Sequence, residues 1–367
     1  MKRNTGSSNL KKILIIMLVF NKKPFLIADI SINVFEFADR EKISYIDSAK
    51  FLIDEAKSCG IDAVMFQSYT AENIVSRDAS AFENLPVDSP NAYFDSIKKY
   101  DKFGVGDYKT LAGYCDDIGM VFLSTPHDME AVDYLDEFIS IFQISSSDLT
   151  NIPFIKHVAS KNKPILLSTG GATLLEIKNA IKTIEDVSTC DIVIMHSILS
   201  FPTEYDDANL LMIKDLVQNF PDYEIGYSDH TRPDRNMMVL TTAFNYGATV
   251  LEKHFTFDKD LDGLDSSYAM DADDVIAFKR NVLFLSKISG RKNKQPLICE
   301  SLTIRETRKS VVAKNDIAKG DAIDESDITF KRPGTGISPS RAEEIIGKTA
   351  VMNISKDSLI TFEMLKN

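Results

Sequence analysis

Two short stretches decide the architecture, Glu224-Ile-Gly-Tyr-Ser-Asp-His-Thr231 and Thr249-Val-Leu-Glu-Lys-His-Phe-Thr256. Each reads as a brief strand ending in a histidine, the first over 225–230 and the second over 250–254. Between them, residues 234–246 have the period and length of a helix, closed by Gly247. Strand, helix, strand is a βαβ unit, whose strands are parallel neighbours with their C-terminal ends on one side. His230 and His254 are therefore expected at one edge, near enough to share a metal ion. A lone histidine more often only packs or meets solvent. Two at the ends of consecutive strands, each within two residues of an acid, point to a site.

Outward from this unit, short β-branched or aromatic runs alternate with helical patterns, as repeated βα units do. The spacing predicts strands at 25–32, 63–68, 120–124, 139–144, 164–168, 192–196, 225–228 and 250–254. Eight parallel strands with intervening helices is the count of a closed (β/α)8 TIM barrel. An open doubly wound sheet is the alternative, but no glycine-rich phosphate loop follows the first strand. Helices are predicted over 45–58, where Ala49, Leu52, Ile53 and Ala56 form an apolar stripe ended by Gly60, and over 173–183. The segment 76–107, rich in Asp, Ser, Pro and Tyr, is predicted as a long lid or binding loop.

A chain of 367 residues with 44% hydrophobic and 26% charged residues suits a globular protein of two domains. Its formal charge of -12 disfavours nucleic acid or an anionic membrane as partner. Cys59, Cys115, Cys190 and Cys299 have no CxxC spacing, which argues against a disulfide scaffold or a cysteine zinc site and fits a cytoplasmic location. The apolar run Ile13 to Phe20 is too short to span a bilayer and reads as an opening strand or hairpin in an extension over 1–23. The barrel is expected over 24–286 and a linker over 287–307. A small β-rich module at 308–367 is near the lower limit for a core of its own.

The motifs, taken in order, resemble the sialic acid synthase family, meaning N-acetylneuraminate synthase and its legionaminate, pseudaminate and spore-coat relatives. They are Ala28-Asp-Ile-Ser-Ile-Asn33, Phe66-Gln67, Leu123-Ser-Thr-Pro126, Ser147-Asp-Leu-Thr-Asn-Ile-Pro153, Lys163-Pro-Ile-Leu-Leu-Ser-Thr-Gly170, and the two histidine stretches. The tail, with Arg308-Lys-Ser310, Lys331-Arg-Pro-Gly334 and Ile346-Gly-Lys348, resembles the antifreeze-like SAF domain that ends these enzymes. The resemblance implies a (β/α)8 barrel and a domain-crossed homodimer in which the SAF domain reaches over the partner's site. It also implies a reaction joining phosphoenolpyruvate to the open-chain aldehyde of an N-acetylated mannosamine-type sugar for surface polysaccharide. A divalent cation, Mn²⁺ or Mg²⁺, would polarise the aldehyde oxygen.

Residue by residue, the resemblance makes His230 and His254 the metal ligands. Asp29 falls where the family has a longer glutamate, and Gln67 matches an active-site glutamine. Asp148 and Asp265 match acids that contact the sugar. Thr125, Ser146, Ser168 and Ser228 match donors around phosphoenolpyruvate, although strand-end hydroxyls often only cap the next helix. Arg332 matches the SAF arginine that holds the sugar's N-acetyl group. On the last strand, alternation turns Glu252 and His254 one way and Lys253 the other.

The chain departs from the family on the phosphate side. Met65 and Gln143 stand where the family has lysines, Leu199 stands where it has asparagine, and Leu264 replaces a proline. Ser145 and Ser147 replace the glycines that flank Ser146. Losing a charged donor to an anion costs on the order of 1.5–3 kcal/mol each. Three readings follow: a synthase rescued by Lys98, Lys99 or Lys102, a non-catalytic sugar-binding or partner subunit, or a metal-dependent aldolase-like enzyme whose substrate lacks phosphate.

Overall fold

The central strands are buried along almost their whole length, and successive residues alternate between two apolar clusters. Phe25, Ile27, Ala63, Met65, Leu123, Ile141, Leu166, Met195 and Val250 form one apolar cluster. Their immediate neighbours Leu26, Ala28, Val64, Phe66, Phe122, Phe142, Ile165, Leu167, Ile194 and Leu251 belong to another. Side chains on a strand point alternately to its two faces, so the first cluster fills the inside of a closed sheet and the second lies under its helices. In this computed structural model, which describes residues 23–77, 79, 92–261, 263 and 265–367, that sheet is a (β/α)8 barrel. The expected N-terminal strand at Ile13 to Phe20 lies outside the described residues, as do Asp262, Leu264 and much of the loop after the second strand.

The strands are β1 (Phe25–Asp29), β2 (Ala63–Ser68), β3 (Val121–Pro126), β4 (Phe142–Ile144), β5 (Ile165–Ser168), β6 (Ile192–Ser197), β7 (Glu224–Asp229) and β8 (Val250–His254). They run in the order β3-β2-β1-β8-β7-β6-β5-β4, every pair parallel. β3 and β4 come together to close the ring. The β1–β8 register sets Asp29 beside His254, and the β2–β3 register sets Gln67 beside Thr125. The register alone thus collects polar residues from neighbouring strands at one layer.

Local chemistry explains most boundaries. The helix Tyr45–Ser58 starts at Ser44, whose hydroxyl accepts from the Asp47 amide at 3.0 Å, and stops before Gly60 at φ 85°. The helix Leu174–Glu185 opens with a capping box between Thr173 and Glu176. β1 is three residues shorter than its apolar pattern, because Ser31 turns into the left-handed region at φ 45° and a helix begins at Asn33. The helix after β7 starts at Met238 rather than 234, because the Asp234 carboxylate accepts from the amides of Asn236 and Val239 and holds a turn ahead of it. The expected long loop is partly helical, with helices Ala92–Tyr100 and Val105–Ile118.

The chain divides between Ile288 and Ser289. The expected linker is also partly ordered: the helix Ala272–Ser289 runs into it, and Ser301–Thr307 is a further helix. The second unit carries two antiparallel pairs, β9 (Ser310–Ala313) with β10 (Ile328–Lys331) and β11 (Thr349–Ala350) with β12 (Leu365–Lys366). Its own core includes Val311, Ile317, Ile323, Ile345, Ile354 and Ile360. Among the described residues, no helix is long and apolar enough to cross a membrane.

Candidate active site

The inward-facing alternation of the strands ends at the C-terminal mouth of the barrel in a polar layer. Two steps beyond Ile27, Met65, Leu123, Ile141, Leu166 and Val250 stand Asp29, Gln67, Thr125, Gln143, Ser168 and Glu252. The C-terminal mouth is where (β/α)8 enzymes carry their chemistry.

One side of this layer is built around two imidazoles. The rings of His230 and His254 lie 5.7 Å apart, centre to centre. His254 stands between two carboxylates, with Nδ1 3.2 Å from Asp265 Oδ2 and Nε2 3.8 Å from Asp29 Oδ2. Gln67 Nε2 donates to Ser31 Oγ at 3.0 Å and to Asp29 Oδ2 at 3.4 Å. Tyr268 donates to Asp265 Oδ1, and its ring packs against His254. Around His230, Nδ1 donates to the Ile198 carbonyl at 3.1 Å, which leaves Nε2 with a free lone pair. The Phe201 ring meets its edge at 4.6 Å.

Burial and charge divide the two imidazoles. Burial, with the neighbouring His254, holds His230 neutral and drives its pKa down to about 3. Burial also opposes charge on His254, but Asp265 and Asp29 outweigh it and raise that pKa to about 9. Asp29 is raised by burial and Asp265 is lowered by His254 against burial. Asp29 Oδ1 is buried without a hydrogen-bond partner. Such an atom is costly unless something is meant to fill its place.

The other side is a hydrogen-bonded chain that crosses the barrel. Thr125 Oγ1 donates to Gln143 Oε1 at 3.1 Å. Gln143 Nε2 donates to Ser168 Oγ at 3.0 Å and to Glu252 Oε2 at 2.9 Å. Ser228 Oγ donates to Glu252 Oε1 at 2.9 Å. Among the described residues Glu252 makes no salt bridge, and burial with the nearby Asp29 pushes its carboxyl up to about 7 against the pull of Ser228, His254 and Gln143. Lys253, on the opposite face of β8, is fully buried against Asp229. Asp148 sits farther out, accepting from Asn151 Nδ2 at 3.1 Å. Ser146 Oγ accepts from the Gly170 amide at 2.9 Å and ties the β4 and β5 loops together.

The NeuB family model matches residues 52–294, and a SAF domain model matches residues 308–366. The chain belongs to the NeuB family. It is 33% identical over 344 residues to the N,N'-diacetyllegionaminic acid synthase of Campylobacter jejuni, covering 92% of this chain and 99% of that one. It is 28% identical over 324 residues to the human N-acetylneuraminate-9-phosphate synthase, covering 88% and 89%. Among solved structures, the N-acetylneuraminic acid synthetase of Leptospira borgpetersenii superposes with a TM-score of 0.65 at 26% identity, covering 77% of this chain and 90% of that one.

Within this NeuB-family barrel, the side chains of Asp29, Gln67, Asp265, His230 and His254 form one cluster, and those of Thr125, Ser168 and Ser228 join the Gln143–Glu252 chain. Ser146 and Asp148 belong to the loop after β4. Arg332 is exposed in the second unit, the SAF domain. The lysine rescue finds no support in Lys98, which pairs with Glu72 and Asp101, or in Lys99, which pairs with Glu36. Sequence reading gave Glu252 no role beyond its face and missed Ser31 and Tyr268. Alternation from His254 was the available signal for Glu252; Ser31 and Tyr268 act through loop conformations that carry no periodic signal.

Proposed function

We propose that this protein is a metal-dependent nonulosonic acid synthase that joins phosphoenolpyruvate to the open-chain aldehyde of an N-acetylmannosamine-type sugar. The observation that carries this reading is His254 between Asp29 and Asp265, facing a neutral His230 at the barrel mouth. His230 Nε2 and His254, the latter on giving up the proton that Asp265 and Asp29 favour, would hold the Mn²⁺ or Mg²⁺, and the unpartnered Asp29 Oδ1 fits a place beside it. Among the described residues, no group of three or more His, Cys, Asp and Glu is arranged around one point. Two imidazoles suit an ion that keeps positions for water and substrate. When bound, the cation supplies Lewis-acid stabilisation of the aldehyde oxygen.

The chain's own residues do the rest. The Ile198 carbonyl fixes the His230 tautomer, and Gln67 aligns Asp29. Ser168, Thr125 and Ser228 hold the donor in the mouth, while Asp265 and Asp148 orient the acceptor's hydroxyls. Arg332 reaches the site of a partner copy in a crossed homodimer. The test is phosphate release from phosphoenolpyruvate with Mn²⁺ and a panel of N-acetylated hexosamines. Release that needs one sugar and disappears in His230→Ala supports the reading, and no release with any sugar overturns it.

A second reading rests on the Gln143–Glu252 bond. A carboxylate meets the donor side where the family has cations, which favours a donor without phosphate and an aldol reaction of the pyruvate type. Pyruvate-dependent turnover without phosphoenolpyruvate turnover would select it.

A further inference from the structure

His127, the residue after β3, has no part in either half of the site described above. Its amide donates to the Ser68 carbonyl at 3.0 Å, which fixes the backbone between the β2 and β3 loops. Its Nδ1 lies 3.9 Å from Asp148 Oδ2, with only about a fifth of its side chain exposed. The Tyr69 ring stands edge-on to the imidazole at 6.1 Å. The Tyr69 hydroxyl is pushed up by burial and then by the charges of Asp101 and Asp265, so Asp265 acts across this region as well. Tyr69, His127 and Asp148 therefore form a polar rim on the β2–β4 side of the mouth, opposite the strands that carry His230 and His254.

An aldehyde at the histidines leaves the remainder of an open-chain sugar to extend across the mouth. Asp148 offers a carboxylate oxygen, and an imidazole adds one donor and one acceptor. Neutral hydroxyl and amide groups match that set. A phosphate does not, because it would face the Asp148 carboxylate. The nearby Lys98 and Lys99 are already held by Glu72, Asp101 and Glu36. Burial keeps His127 below its ordinary value, against the pull of Asp148 and Asp128, so the imidazole does not offset the carboxylate's charge.

We propose that the His127–Asp148 pair reads the far end of the acceptor and selects an unphosphorylated amino sugar over its phosphate ester. This deepens the acceptor half of the proposed function and rests on it, but not on the identity of the donor.

The experiment is calorimetric titration of the full chain with Mg²⁺, using N-acetylmannosamine and N-acetylmannosamine 6-phosphate and no donor. The expected result is at least tenfold tighter binding of the unphosphorylated sugar. His127→Phe and Asp148→Asn should each weaken it by about tenfold, the loss expected when a hydrogen bond to a buried or charged group goes. His127→Gln, which keeps a donor, should recover part of the loss while the melting temperature stays unchanged in all three. Equal or tighter binding of the phosphate ester overturns the proposal, as does unchanged affinity in His127→Phe or no binding of either sugar. Sugar binding without phosphoenolpyruvate turnover would leave this inference standing and remove the donor assignment instead.

Discussion

Lys253 Nζ lies 2.8 Å from Asp229 Oδ2, with essentially none of either side chain exposed, on strands whose next residues are His254 and His230. The ammonium also donates to the Thr231 carbonyl, and Asp229 Oδ1 accepts from the Thr231 amide, the Thr231 hydroxyl and Tyr227. The pair is a strut behind the two imidazoles, fixing β7 against β8 at the height where they face one another.

Removing one partner of a buried ion pair leaves the other charge uncompensated and costs about 3–5 kcal/mol. Lys253→Met should therefore lower the unfolding free energy by roughly that amount in urea denaturation. Lys253→Met with Asp229→Asn should cost clearly less than the two single changes added together. A loss below about 1 kcal/mol in Lys253→Met would show that the pair holds nothing in place.

Metal binding gives the next test. An ion that binds only the folded chain stabilises it by about 2.7 kcal/mol at a hundredfold excess over its dissociation constant. Mn²⁺ should raise the melting temperature of the wild type and leave His230→Ala and His254→Ala unmoved. Asp29→Asn should keep part of the shift, since it removes charge beside the ion and keeps both imidazoles. An equal Mn²⁺ shift in the double histidine variant would place the ion elsewhere.

The barrel and the histidine pair were legible because they follow from periodicity. β2 and β8 begin and end where alternation and composition put them, and residues two apart share a face. The donor side was legible only as absence, since Met65 and Gln143 showed which cations were missing and not what replaced them. The Gln143–Glu252 bond joins residues 109 positions apart on opposite sides of the ring, and no local pattern encodes it. Ser31 and Tyr268 escaped notice for a related reason, because their places depend on a left-handed turn and a short loop helix.

Gly226 tests the packing beneath the site. A β-carbon there would fall 2.1 Å from Met195 Sδ and 2.8 Å from the Val250 carbonyl oxygen. The methionine can move and the strand backbone cannot. Gly226→Ala should destabilise the barrel by about 1–3 kcal/mol or more, as overpacked cores do. Adding Met195→Ala should recover only part of this, because the contact with β8 remains. Full recovery by thermal denaturation would show that the side chain alone set the limit.

Restoring positive charge tests what Gln143 does. The amide now joins Thr125, Ser168 and Glu252 in a chain whose only formal charge is the carboxylate. Met65 lies one layer below, its sulfur 3.1 Å from the Thr125 hydroxyl. A lysine at 143 would compensate Glu252 and present an ammonium to an anion in the mouth. Gln143→Lys with Met65→Lys should tighten binding of inorganic phosphate by about tenfold or more, a charged donor being worth about 1.5–3 kcal/mol. Gln143→Leu should instead strand the partners of the lost amide and cost about 1–3 kcal/mol of stability without any gain in phosphate affinity. If the lysine variant binds phosphate no better than the wild type, the donor side already meets anions through some other group, and the cation-free chain across the barrel is not what limits them.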